Sequence, residues 1–100
     1  MTEADYQQRV LDTAVLLGWH VAHFRPARTA RGWRTPMQGQ PGFPDLVLAR
    51  GGTVILAELK TDRGQPKPDQ LAWLDALGEH GRLWRPRDWT DVLAELTEAA

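Results

Sequence analysis

The sequence predicts an α/β fold with a mixed sheet of about four strands and helices packed on it. Three observations carry that expectation. Two apolar stretches, Phe43–Ala49 (FPDLVLA) and Thr53–Lys60 (TVILAELK), flank an Arg50-Gly51-Gly52-Thr53 turn and form an antiparallel hairpin. A helical stretch with Leu71, Leu74 and Leu77 separates the second of these strands from a short strand at Arg82–Arg85. Those two strands can therefore pair in parallel through a crossover helix. Finally, apolar residues recur at helical spacing near both ends of the chain.

Taken in order, residues 2–17 read as a helix. Thr2 is its N-cap, Asp5 completes a capping-box variant, and Tyr6, Val10, Leu11, Ala14 and Leu17 form its apolar face. Gly18 supplies the stop. Trp19–Phe24 is a short strand. Residues 25–42 contain three prolines and three glycines without periodicity and read as a long loop. After the hairpin, Thr61–Lys67 is polar, Pro68 suits a first helical turn, and that helix runs to about Gly81. A last helix follows Asp88 with Val92, Leu93 and Leu96. Trp73, Trp84 and Trp89 are expected in the core. No repeat or internal boundary is visible, so residues 1–100 are expected to form one domain.

With no cysteine among 100 residues, a disulfide framework and a thiolate metal site are both excluded. The opening MTEADYQQRV has charges and amides where a signal peptide needs an apolar run. No stretch approaches the ~20 apolar residues of a membrane span. The expectation is a soluble cytoplasmic protein with no membrane partner. The net charge of −1 gives no hint of a polyanionic ligand, but its distribution does. No acidic residue lies between Asp12 and Asp45, while Arg25, Arg28, Arg31 and Arg34 fall within that interval behind His20 and His23. Such a segment can contact phosphates, and Trp33 within it can stack on a base. His20 and His23 sit three apart on a strand and face opposite sides, so they are read as structural or DNA-facing rather than as a metal pair.

The hairpin brings chemistry together. A two-residue Gly51-Gly52 turn pairs Arg50 with Thr53 and places Asp45 opposite Glu58. Opposed residues bring their Cβ atoms to roughly 4.5–5.5 Å, and two carboxylates there repel each other. A divalent cation with a taste for oxygen, Mg2+ or Mn2+, would compensate. Strand alternation puts Lys60 on the face of Glu58, where an ammonium can hold a water or a phosphate oxygen.

Pro44-Asp45, twelve intervening residues and Glu58-Leu59-Lys60 together resemble the PD-(D/E)xK nuclease signature. More narrowly, the chain resembles small stand-alone VRR-NUC domains. The matching features are Glu3, Gly18-Trp19, Gly42-Phe43-Pro44-Asp45, Glu58-Leu59-Lys60, and Gln70 followed by Trp73 and Leu74. The resemblance spans nearly the whole chain. It implies a restriction-endonuclease-like αβββαβ core. It also implies metal ligation by Asp45, Glu58 and the Leu59 backbone carbonyl, with Glu3 contributing directly or through water. Lys60 would orient the attacking water and stabilise phosphate charge, and Gln70 would support the site. The implied activity is a metal-dependent DNA endonuclease, structure-selective in the manner of a Holliday-junction resolvase and working as a homodimer on branched DNA. The alternatives are a DNA-binding module without catalysis on the same fold, and a nicking or restriction-like nuclease.

Overall fold

The computed structural model describes residues 1–24, 27–30, 32–34 and 38–98, with only the backbone described at 27–29, 33 and 34. Within these, α1 (Glu3–Leu16), β1 (His20–His23), β2 (Ala27–Thr29), β3 (Gly32–Arg34), β4 (Leu46–Arg50), β5 (Thr53–Leu59), α2 (Pro68–Leu77), β6 (Gly81–Trp84) and α3 (Trp89–Glu98) follow in order. The main sheet has the order β1-β4-β5-β6. β1 and β5 each pair antiparallel with β4, and β6 pairs parallel with β5 across the α2 crossover. The fold is therefore α/β, a mixed four-stranded sheet flanked by three helices. No helix among the described residues is long and apolar enough to cross a membrane.

Local chemistry accounts for the boundaries. Thr2 Oγ1 accepts from the Asp5 amide at 3.1 Å and Asp5 Oδ2 accepts from the Thr2 amide at 3.2 Å, closing the capping box that starts α1. α1 ends at Gly18, whose φ of 90° lets the Trp19 amide reach back to the Ala14 carbonyl. Arg50 then donates to the Leu17 carbonyl at 2.8 Å, a cation at the negative end of the helix, and lies over the Trp19 ring. Gly51 and Gly52 both take positive φ (55° and 84°), as a type I′ turn requires.

One core joins α1, α3 and one sheet face. Tyr6, Val10 and Ala14 meet Leu46, Leu48, Ile55, Ala57, Leu59, Val92 and Leu96, with Trp19 and Trp84 closing the cluster. Trp89 packs partly buried against it, whereas Trp73 lies at the edge of the fold rather than in the core.

Two element expectations need correction. The stretch 25–42 is not loop throughout, because β2 and β3 pair within it as a separate two-stranded ribbon, Arg28 opposite Trp33. Three-residue strands reading ART and GWR carry no apolar alternation to reveal them. α2 stops at Leu77 rather than near Gly81, because Gly78 turns to a φ of 56° and begins a single 3-10 turn. Gly81 instead opens β6 against α2, where an added Cβ would lie 3.2 Å from Leu77 Cβ.

Candidate active site

The hairpin register is the one expected from the turn. Arg50 pairs with Thr53 and Leu46 with Ala57, so Asp45 stands one step beyond the last pair, on the Glu58 side. β4 begins only at Leu46, so Asp45 lies just before the strand rather than within the expected Phe43–Ala49 stretch. The Asp45 carbonyl accepts from the Phe24 amide at 3.1 Å, and its carboxylate turns inward, with Oδ2 accepting from the Leu59 amide at 2.8 Å. Glu58 is 2% exposed. It points to the face opposite Ile55, Ala57 and Leu59, whose alternate positions fill the core.

The two oxygens of Glu58 have different surroundings. Oε1 accepts from Gln70 Nε2 at 2.8 Å and lies 3.7 Å from Lys60 Nζ. Oε2 is buried and, among the described residues, meets no hydrogen-bond donor. The Glu58 carboxyl is pushed up to about 8, foremost by burial and then by the neighbouring negative charge of Asp45; Lys60 opposes the rise, and the Asp45 hydrogen bond and Glu3 add to it. A buried carboxylate with an orphaned oxygen beside a second carboxylate is an arrangement that a cation relieves.

Gln70 is held from both ends. Its Oε1 accepts from the Lys67 amide at 2.7 Å, at the start of α2, while its Nε2 reaches Glu58. The helix cap thereby fixes the amide orientation, with the donor end toward the carboxylate. Lys60 is tied by its backbone amide to the Trp84 carbonyl of β6 at 3.2 Å. The turn that follows Lys60 is gripped by Arg85, which donates to the carbonyls of Thr61 (2.7 Å) and Gly64 (2.6 Å). The Arg85 carbonyl accepts from the buried Tyr6 hydroxyl of α1 at 2.8 Å. Helix α1, which carries Glu3, is thus linked through Arg85 to the turn that follows Lys60. Neither Tyr6 nor Arg85 was legible as a site support: Tyr6 reads as core, and an arginine at a strand end reads as surface.

Gly42 shapes the approach to Asp45. At a φ of 93°, it lies so close to α2 that an added Cβ would fall 2.6–2.8 Å from backbone atoms of Asp69 and Gln70. Both the left-handed conformation and the missing side chain are required there. Gly42→Ala is expected to destabilise the protein by about 2–4 kcal/mol. Urea denaturation measures this, and a loss under 1 kcal/mol would show that the contact yields easily.

The donor set fits a divalent ion in part. Asp45 and Glu58 supply adjoining carboxylates, and Glu58 Oε2 is the oxygen that meets no donor among the described residues. Glu3 lies near enough to raise the proton affinity of Glu58 and shares a surface cleft with Asp45. Among the described residues, no three acidic or histidine side chains converge tightly enough to hold an ion alone. Water or backbone oxygen would have to complete the shell, as is usual for Mg2+.

Of the basic segment, Arg25 and Arg31 lie outside the described residues. Arg28, Trp33 and Arg34 lie on the β2–β3 ribbon, described at the backbone only. His20 is exposed on β1, and His23, partly buried, meets Gln7 of α1.

No family model, curated protein or solved structure matches the chain.

Proposed function

We propose that the chain is a divalent-metal-dependent DNA endonuclease of the VRR-NUC type, using Mg2+ or Mn2+ to hydrolyse phosphodiester bonds. The observation that carries this reading is the buried Glu58, whose unpartnered oxygen lies in a site shared with Asp45 and Lys60. A glutamate buried beside another carboxylate needs either a proton shared between the two or a cation, and an oxygen that faces no donor is suited to the second.

An ion held by Asp45 and Glu58, with the Leu59 carbonyl and Glu3 as further donors, would supply Lewis-acid stabilisation of phosphoryl charge and a more acidic water. The chain's own groups would do the rest. Lys60 presents an ammonium to a non-bridging phosphate oxygen or to the attacking water. Gln70 keeps Oε1 of Glu58 turned toward α2, which leaves Oε2 directed elsewhere. The arginine segment would hold the phosphate backbone, a mode of contact that favours DNA shape over sequence. Branched DNA cut by a homodimer is the substrate and assembly this reading favours.

Purified protein incubated with four-way junction, flap and plain duplex DNA in Mg2+ or Mn2+ is the test. Hydrolysis by the wild type is expected, reduced roughly 10³-fold by Asp45→Asn, in line with the several kcal/mol of stabilisation a bound ion contributes. Absence of hydrolysis on every substrate, or an undiminished rate in the variant, would overturn the assignment. DNA binding without Mn2+ uptake in calorimetry would identify a binding module instead. Sedimentation equilibrium checks the dimer.

A further inference from the structure

Beside the carboxylates, α1 and the end of β1 enclose an open cleft of about 400 Å³. Glu3 and Asp45 line it, together with Gln7, Leu11, His23 and Phe24. Its size falls in the range of pockets that hold small organic groups. Its polarity is uneven. The end carrying Glu3 and Asp45 is acidic, Leu11 is apolar, and Gln7 and His23 bring hydrogen-bonding groups, with Gln7 Nε2 donating to His23 Nε2. An acidic lining disfavours a second phosphate inside the cleft. It does not disfavour a neutral, flat, hydrogen-bonding ring.

Phe24 supplies the stacking surface. Phe24 is 41% exposed, yet it is not loosely held. Phe43 meets it edge-on with centroids 5.4 Å apart, and Trp73 meets Phe43 in the same way at 5.0 Å. Trp73 is tied in turn by its indole N–H to the Gln40 carbonyl at 3.2 Å. This row of three rings runs along the Gly42–Asp45 segment and ends in solvent at the cleft. Bracing the ring beforehand lowers the ordering cost of covering it with a ligand.

We infer that this cleft is a nucleobase subsite, in which Phe24 stacks on a base adjoining the phosphate held at Asp45 and Glu58. This rests on the nuclease reading and adds a substrate feature to it. A paired base in a duplex has both faces covered, so only an unpaired or extruded nucleotide can enter. The enzyme would select DNA in which a nucleotide next to the cut is free to leave the stack, as at a branch point or a flap. The amide of Gln7 and the imidazole of His23 would meet the edge of the base, while Leu11 would lie under the apolar part of the nucleotide.

The test compares hydrolysis of two DNA substrates of identical sequence, one fully paired and one with unpaired nucleotides at the cut. The wild type is expected to prefer the second, and Phe24→Ala and Phe24→Leu are expected to reduce that preference roughly 5- to 150-fold, the factor corresponding to one stacked base. The change should fall mainly in KM, and Phe24→Trp should restore the preference. Phe24→Leu keeps apolar packing against Phe43, so it separates loss of the aromatic face from misfolding. A wild type indifferent to pairing, or a preference unchanged in both variants, would overturn the subsite while hydrolysis itself stands. If no substrate is hydrolysed, the nuclease reading fails separately. The subsite is then judged by fluorescence anisotropy with a short single-stranded oligonucleotide against its duplex, where binding equal in wild type and Phe24→Leu overturns it and binding weakened in the variant supports it.

Discussion

Lys60→Met is expected to slow DNA hydrolysis on the order of 10²–10³-fold while leaving the protein folded. The lysine side chain is only 17% exposed, so most of its stem is packed, and methionine preserves much of that packing. What it removes is the ammonium 3.7 Å from Glu58 Oε1. In the free protein that charge favours ionised Glu58, acting against burial and against Asp45. During hydrolysis it would lie beside oxygens that gain charge, so its loss weighs more on the transition state than on binding. Single-turnover rates at saturating Mg2+ are the direct measurement. A rate within a few-fold of wild type would remove Lys60 from the reaction. Mn2+ calorimetry on the same variant separates the two roles: slow hydrolysis with retained ion binding places the lysine at the phosphate, whereas lost ion binding places it in the preparation of Glu58.

The hairpin was legible because two local rules agree there. Gly51-Gly52 specifies the turn, and the period of two then fixes which side chains oppose each other. The register from Arg50–Thr53 to Leu46–Ala57 follows, and with it the proximity of Asp45 to Glu58. The α1 cap and the α2 start at Pro68 were legible for the same reason, since capping is a matter of a few adjacent residues. What depends on contacts between distant segments was not. No local pattern shows that Gly42 must lie against the Asp69–Gln70 backbone, or that Arg85 turns inward to hold Thr61 and Gly64. Gln70 illustrates the boundary. Its position early in α2 could be read from the sequence, but its double tie to Lys67 and Glu58 needs the crossover to bring α2 over β5. The aromatic row from Phe24 to Trp73 is assembled from three separate segments and has no sequence signature.

The same burial that suits Glu58 to hold a cation makes it a burden without one, and this gives the largest expected effect on stability. Its carboxyl is raised from 4.5 to about 8 in the folded protein, so between those values the native state keeps a proton that the unfolded chain has released. Stability then falls as pH rises through that window and levels off on either side, as far as this group is concerned. Glu58→Gln removes the titration and keeps the shape. The amide oxygen can still accept from Gln70, and the amide N–H₂ can donate toward Asp45, as the protonated acid would. In metal-free buffer the variant should therefore match the wild type near pH 4.5 and exceed it above pH 8 by a few kcal/mol, since each unit is worth about 1.4 kcal/mol. For a domain of this size that is a rise in Tm on the order of 10 °C. Added Mg2+ or Mn2+ should reverse the order at pH 8, because an ion that binds only the folded wild type stabilises it in proportion to the logarithm of its concentration. Thermal unfolding of both proteins across pH 4.5–9, with chelator and with metal, measures all of this at once. A variant less stable than wild type at pH 8.5 in chelator would mean that Glu58 is a satisfied structural acid, and the argument for a cation beside Asp45 would go with it.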